Sequence, residues 1–514
     1  MAMIRRTPKQ EAPIADITLL LEGTYPFIRG GVSSWVHQII TGLPQFRFSL
    51  IFLGGDRSHY GKQQYTLPDN VVHLECHYLM DNLDDTKPKP SKGSRRAFET
   101  QRTLHDQFRS NKPVPEGVLS QALRDLGRKG GINKEDFLYS EESWQMIDES
   151  YRNYCTEPSF VDYFWTIRIM HAPLFMLADI AQNIPKTRAV HSISTGYAGL
   201  LGAMLKDLRD LPFILTEHGI YTKERKIDLS QAEWIREASD QVSANLNDQL
   251  GYIRQLWIRF FETMGRLTYQ QADPIISLYL GNQQRQLADG AVPERTHIIP
   301  NGISPEQFEG ALAARPEAAP MVMGLVGRVV PIKDIKTFIR AMRSVYEVVP
   351  NVEGWIVGPE DEDPAYVTEC KELVSSLGLQ DCVKFLGFRN VKDILPQLGL
   401  MVLTSISEAL PLVILEAHAA GLPCLATDVG ACRELIEGGT SEDQSLGRSG
   451  AVVPIADPEA TAREAIRLLL DEKRWQQASE AGLARVKRYY TLDAMFDSYR
   501  NIYDTAIASG SQTD

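Results

Sequence analysis

The stretch 407-SEALPLVILEAHAAGLPCLATDVG-430 decides how this chain is read. Pro411 suits the first position of a helix, where its missing N–H would have no partner anyway. Apolar residues then run through Ala420 to Gly421, a helix-stop residue, and Pro423 to Ala426 forms a short apolar run of strand type. A second such run, Leu400 to Leu403, precedes the loop. Strand, loop, helix and strand in this order make a parallel βα unit.

The same alternation extends along the chain. Strands are expected at Ile17–Leu21, Phe48–Leu53, Val71–Leu74, Ala189–Ile193, Phe213–Thr216 and Pro274–Leu278 in the first half. In the second half they recur at Met321–Val326, Gly354–Val357, Val383–Leu386, Leu400–Leu403 and Pro423–Ala426. Two sheets are implied, so the chain is α/β with two Rossmann-like domains. Residues 1–305 make the first, and the Ala-, Pro- and Glu-rich segment 306–320 reads as a linker. Residues 321–490 make the second, and 491–514 form a terminal helix and tail. That helix carries Met495, Tyr499, Ile502 and Tyr503 on one face, which must dock somewhere. Residues 82–160 are polar and charged, a partly helical insertion with Phe137, Tyr139, Trp144, Tyr151 and Tyr154 near its end.

With 514 residues, 43% hydrophobic and 23% charged, the chain can bury large cores. A net charge of −12 argues against a nucleic-acid surface. The apolar run before Glu22 is too short for a signal-peptide core, and nothing later reaches about 18 uninterrupted apolar residues, so no membrane span of its own is expected. The six cysteines follow no metal-ligand spacing and read as reduced thiols.

Glu408 and Glu416 stand eight positions apart in an apolar setting. A carboxylate pair flanking one glycosidic bond is separated by about 5 to 9.5 Å. Here five helical steps rise about 7.5 Å, and extended loop residues add up to about 10 Å more. That span suits two ends of one ligand, each carboxylate accepting vicinal hydroxyls, with the N–H groups of Leu412 and Val413 at the helix start as an anion site between them. The plainer alternatives are an edge salt bridge for Glu416 and a dipole-favoured acid for Glu408.

In 324-GLVGRVVPIKD-334, Arg328 and Lys333 follow a strand and could meet a diphosphate, or simply be solvated. In 23-GTYPFIRGGVSSWVHQII-40, Gly30 and Gly31 precede a helix, where a backbone can approach a phosphate or merely turn. His218 lies just past a strand end, followed by the basic Lys223, Arg225 and Lys226. The triplet Asp361-Glu362-Asp363 spells a metal-binding DxD, yet acids at this point are common helix-start charges, and we read them as such.

Taken together, the GG loop, the His after a strand, 300-PNGIS-304, Gly327-Arg328 with Lys333, 385-FLGF-388 and 408-EALPLVILE-416 resemble the family 4 retaining glycosyltransferases of the GT-B fold. The stretches 22-EGTYPFIRGGVSSWVHQ-38, 194-STGYAGLLGA-203 and 216-TEHGIYTKER-225 resemble, more narrowly, the cytoplasmic glycosyltransferases of bacterial Pel exopolysaccharide synthesis. The resemblance implies two domains facing across a cleft, with the terminal helix crossing back to an acceptor-side first domain. It gives Arg328 and Lys333 to a UDP-sugar diphosphate, Glu416 to the ribose and Glu408 to the donor sugar. Backbone around Leu410, Leu412 and Val413 would assist the sugar and phosphates, and that around Phe388 and Arg389 would face the base. Gly30 and Gly31 would close over the diphosphate, and His218 would lie near the reacting centre.

No cofactor or divalent metal is implied. The acceptor would be a growing polysaccharide, and the partner an inner-membrane synthase complex. One departure is plain: many relatives have Glu-Gly-Phe-Gly where this chain has Glu408-Ala409-Leu410-Pro411. The alternatives are a sugar-nucleotide 2-epimerase and an inactive UDP-sugar-binding subunit; a Rossmann dehydrogenase is disfavoured because GxGxxG is missing.

Overall fold

A computed structural model describes residues 14–80, 94–110, 117–127, 131–156, 159–231 and 251–510. The chain divides into two units. Unit 1 takes the chain up to Ile276, Gln284–His297 and the end from Arg500; unit 2 takes Ser277–Gln283 and Ile298–Tyr499.

Unit 1 is built on β1 (Ala15–Glu22), β2 (Phe48–Gly54), β3 (Val71–Tyr78), β4 (Thr187–Ser192), β5 (Phe213–Glu217), β6 (Ile275–Ser277) and β7 (Thr296–Ile298), in the order β3-β2-β1-β4-β5-β6-β7. Leu19 pairs with Leu50 on one side and His191 on the other, both in parallel register. Leu19, Leu20 and Leu21 are all fully buried, because a parallel sheet is covered on both faces and its strands read as solid apolar runs.

Unit 2 repeats the plan with β8 (Val322–Val326), β9 (Glu353–Val357), β10 (Val383–Gly387), β11 (Leu400–Leu403), β12 (Cys424–Thr427) and β13 (Gly450–Val453), ordered β10-β9-β8-β11-β12-β13. Strand order reverses between β1 and β4 and again between β8 and β11, the points where open α/β sheets leave a crevice for ligands.

All eleven strands expected from sequence are present; β7 and β13 were not foreseen. The first is three residues at a sheet edge, and the second, GAVV, is a four-residue run opened by a glycine. The segment 306–320 differs from expectation. Pro305–Phe308 forms a 3-10 turn and Glu309–Ala313 a helix, with Phe308 and Ala311 in the unit 2 core, so the division falls near Ile298. A single aromatic anchor makes no period that sequence reading can detect. The insertion is helical over Arg95–Ser110, Val118–Asp125, Lys134–Tyr139 and Glu141–Tyr154, and it buries Phe98, Leu104, Phe108 and Phe137 in the unit 1 core. Residues 81–93, with most of its basic KPKPSKGSRR run, lie outside the described residues.

Six helices matter below: α1 (Gly31–Gly42), α2 (Phe160–Asn183), α3 (Tyr197–Arg209), α4 (Tyr221–Gln231), α5 (Tyr252–Gln271) and α6 (Leu412–Ala419). The terminal helix α7 (Leu492–Gly510) buries Met495, Tyr499 and Tyr503, three of the four residues of its expected face. Its last turns belong to unit 1, where the Tyr503 hydroxyl lies 2.8 Å from His191 Nδ1. Among the described residues no helix is long and apolar enough to cross a membrane.

Buried histidines give the two units different acid sensitivities. Burial pushes the imidazoles of His105 and His191 down to about 3 and those of His171 and His218 to about 4 in unit 1; in unit 2 only His418 is so affected, to about 3. Each of these groups has a folded pKa below its unfolded value near 6.5, so its contribution is present above about pH 6.5 and fades on acidification, by up to about 1.4 kcal/mol per pH unit. Carboxyls raised by desolvation act in the opposite sense, but among the described residues they are evenly shared: Glu217 and Glu224 in unit 1, Glu416 and Glu434 in unit 2. Unit 1 is therefore expected to open first in acid. Limited proteolysis with peptide mapping at about pH 7 and about pH 5 reads this directly, and first cleavage in unit 2 would contradict it.

Candidate functional site

In unit 2 the chain leaves β8 through Gly327 and Arg328, and leaves β11 through Thr404 to Glu408. Because β8 and β11 are neighbours, these loops meet. The Thr404 hydroxyl donates to the carbonyls of Lys333 and Asp334 at 3.0 and 2.9 Å, and Ile406 N–H donates to the Ile332 carbonyl at 2.9 Å. This stitching brings Lys333 Nζ to 2.6 Å from Glu408 Oε1, which also accepts from the Ser405 hydroxyl at 2.6 Å. The two side chains are 18% and 13% exposed, so water screens this pair far less than a surface ion pair.

Arg328 points elsewhere. Its guanidinium donates to both carboxylate oxygens of Glu362 at 2.6 and 2.5 Å, with more than half of each side chain in solvent.

Glu408 sits on the loop and Glu416 on α6, as the sequence reading has it. Pro411 is the cap residue of α6 rather than its first helical residue, and among the described residues no side chain caps the helix, so its first N–H groups face a ligand without that competitor. Burial raises the Glu416 carboxyl above the usual carboxylate range, opposed by the charge of Lys392. Leu410 is 7% exposed and packs with Ile414 and Leu415 in the core, leaving only its backbone for a ligand. Phe388 is 78% exposed just past β10, with Arg389 beside it. Among the described residues no hydrogen bond ties Glu416, Phe388 or Arg389 to the Lys333–Glu408 pair.

The acidic triplet is divided between two duties. Asp363 caps the helix Pro364–Ser376 by accepting from Tyr366 N–H at 3.0 Å, and Glu362 holds Arg328.

In unit 1, Gly30 is the cap residue of α1 in extended backbone, φ 170°. A Cβ built on Gly30 or on Gly31 would meet nothing within 4 Å. His218 follows β5, is 8% exposed and sets its ring 4.6 Å from that of Trp35, edge to face. Burial lowers its pKa to about 4, so the imidazole is neutral near pH 7 and able both to donate and to accept. Lys223 and Lys226 are exposed, and Arg225 pairs with Asp228 at 2.6 Å.

Two residues that sequence reading passed over organise this end of the sheet. Glu22, the last residue of β1, accepts from the Ser194 hydroxyl at 3.2 Å, Ala198 N–H at 3.0 Å and the Tyr221 hydroxyl at 2.8 Å. Glu217, immediately before His218, is fully buried and accepts from Thr195, Tyr269 and Gln286 at 2.9, 2.6 and 3.0 Å. The available signal was an acid at the close of an apolar strand, directly before glycine or histidine.

Residues 15–294, more than half of the chain, match the family described as "Domain of unknown function (DUF3492)". The chain belongs to that family. In this DUF3492 member, residues 320–471 also match "Glycosyl transferases group 1". A 220-residue segment is 30% identical to the lipopolysaccharide core biosynthesis mannosyltransferase LpsB of Rhizobium meliloti (strain 1021), covering 40% of this chain and 60% of that protein's length. Among solved structures, Anabaena HepE in complex with UDP is similar over 95% of this chain and 99% of its own, with a TM-score of 0.58 at 15% identity. The sucrose-phosphate synthase of Thermosynechococcus elongatus is similar over 96% and 99%, with a TM-score of 0.55 at 16% identity. These likenesses show the fold, GT-B with its two Rossmann-like units, for the DUF3492 chain as well.

Proposed function

We propose that the chain is a retaining, metal-independent glycosyltransferase that moves a hexose or N-acetylhexosamine from a UDP-sugar to a growing extracellular polysaccharide of the Pel type. It would work in the cytoplasm, held at the inner membrane by a synthase complex. The observation that carries the reading is the shielded Lys333–Glu408 pair at the strand-order reversal of unit 2, beside an uncapped helix start. The group 1 glycosyltransferase match over residues 320–471 and the UDP complex of HepE support the donor class, and the resemblance of the N-terminal stretches supports the polysaccharide.

The geometry suggests how the pair works. Without ligand, Lys333 and Glu408 neutralise each other. An arriving diphosphate draws Lys333 to its oxygens, and Glu408 Oε1 becomes free to accept donor-sugar hydroxyls. Arg328 exchanges its solvated partner Glu362 for phosphate at small cost. As the glycosidic bond breaks, the charge gathering on the diphosphate meets Lys333, Arg328 and the α6 N–H groups. In front-face attack the departing diphosphate takes the acceptor proton, so Glu408 positions the sugar and forms no covalent intermediate. Neutral His218 offers a hydrogen bond near the reacting centre.

Calorimetric titration with UDP-, ADP- and GDP-sugars, with and without EDTA, tests the assignment, together with UDP release in the presence of acceptor. Failure of every UDP compound to bind, or a strict metal requirement, would count against it. Glu408→Gln gives a sharper expectation, because it removes the charge that competes for Lys333. UDP alone should bind as tightly as to wild type or more so, whereas the UDP-sugar should lose its sugar contact and turnover should fall by about tenfold or more. Parallel weakening of UDP and UDP-sugar would contradict the exchange.

A further inference from the structure

Unit 1 contains a cavity of about 760 Å3 at the C-terminal ends of its strands, the size of a small-molecule site. Its lining joins two kinds of chemistry. Ile169 and Pro173 of α2, Leu229 of α4 and Phe261 of α5 belong to its apolar lining, with the Trp257 and Phe261 rings stacked at 6.0 Å and 23°. The aliphatic residues and Phe261 offer no hydrogen-bonding group. Sugar hydroxyls pressed against these residues would lose water without replacement, at a cost for each group.

A few polar groups enter this lining from the end of β1 and from α4. Glu22 carries its carboxylate there, with room for one further donor beyond the three it already accepts. Thr24 and Arg225 line the cavity, and the Thr24 hydroxyl and Arg225 Nε are buried with no hydrogen-bond partner among the described residues. Glu224 and Asp228 add two more carboxyls against the one guanidinium of Arg225. That balance disfavours a phosphate or other anionic head.

We propose that this cavity binds an amphiphilic acceptor, one whose neutral, hydroxylated head meets Glu22, Thr24 and Arg225 while a hydrocarbon body lies along α2, α4 and α5. The word acceptor rests on the glycosyltransferase reading; the cavity's preference for such a molecule does not. Growth of the polymer would then begin on a glycolipid-like primer rather than on a free sugar.

Alkyl glucosides from methyl to octyl, titrated below micelle-forming concentrations into the full chain, test this. Affinity should rise about three- to fourfold for each methylene buried until the cavity is filled. Octyl phosphate should bind more weakly than octyl glucoside. Ile169→Trp, which fills space at the apolar lining, should flatten the series with the melting temperature retained; should that variant fail to fold, Leu229→Asn reads the same lining. A flat series in wild type overturns the proposal, as does a series that survives both substitutions, which would place the alkyl chain elsewhere. Equal binding of octyl phosphate would overturn the assignment of the head. UDP-sugar titrated into the same protein separates the two readings. Donor binding with a flat alkyl series defeats this proposal alone, whereas a steep series without donor binding defeats the glycosyltransferase reading and leaves the amphiphile site standing.

Discussion

Lys333→Ala should lower kcat/KM for UDP release by about 100- to 1,000-fold, the scale on which a positioned charge at a leaving group acts. Lys333 is in place before any ligand arrives, 2.6 Å from Glu408 and 18% exposed, so it needs little ordering when the diphosphate binds. Its removal leaves Glu408, 13% exposed, with the Ser405 hydroxyl as a remaining partner, so the cost in stability is about 1 to 3 kcal/mol. The melting temperature should therefore move by only a few degrees while activity collapses. Lys333→Arg should restore part of the loss, since it keeps the charge in a planar fork of different reach. A loss smaller than about tenfold for Lys333→Ala would remove this residue from the phosphate site.

The second large effect comes from outside the ligand-facing surface. Gly430 ends the stretch on which the sequence reading turned, and it adopts φ +53°. A Cβ there would stand 2.3 Å from the Glu408 carbonyl oxygen and 2.4 Å from that of Ala409, while Ala431 N–H donates to the Ala409 carbonyl at 2.8 Å. These are backbone atoms, so nothing flexible can yield. Gly430→Ala must shift the loop that carries Glu408, and displacement by about 1 Å costs on the order of 100-fold in turnover. The left-handed backbone adds about 1 to 3 kcal/mol of destabilisation. UDP alone should lose less than turnover does, because the atoms a Cβ at Gly430 meets first belong to Glu408 and Ala409 rather than to Lys333 or the α6 start. Unchanged kcat in a folded Gly430→Ala protein would show that the Glu408 loop need not be held in place.

The backbone is compatible with the departure at Ala409 and Pro411. Pro411 has φ −73°, and Ala409 is absent from the positive-φ residues, so the loop asks for no glycine at either position. Its close approach is made from behind, by Gly430.

The eleven expected strands were readable because a strand buried on both faces needs apolar side chains at successive positions, a signal held in a few adjacent residues. Glu408, Lys333 and Glu416 stood out as charges within or just after such runs. Glu22 and Glu217 did not, since one acid at the end of an apolar run is ordinary, and their importance comes from Ser194, Tyr221, Tyr269 and Gln286, far away in sequence. The core contacts of segment 306–320 were illegible for a related reason: Phe308 anchors it by its contacts rather than by a pattern.

Local periodicity was thus enough to establish two α/β units and to place acids and cations at strand ends. Which of those ends meet depends on strand order. Lys333 and Glu408 are 75 residues apart, and Glu22 and Ser194 are 172 apart; each pair touches because β8 lies beside β11 and β1 beside β4. Side-chain periods of two and 3.6 residues record which faces are buried, but they carry no information about which strand becomes the neighbour. That is settled only when the helices pack onto the sheets and the crossovers close.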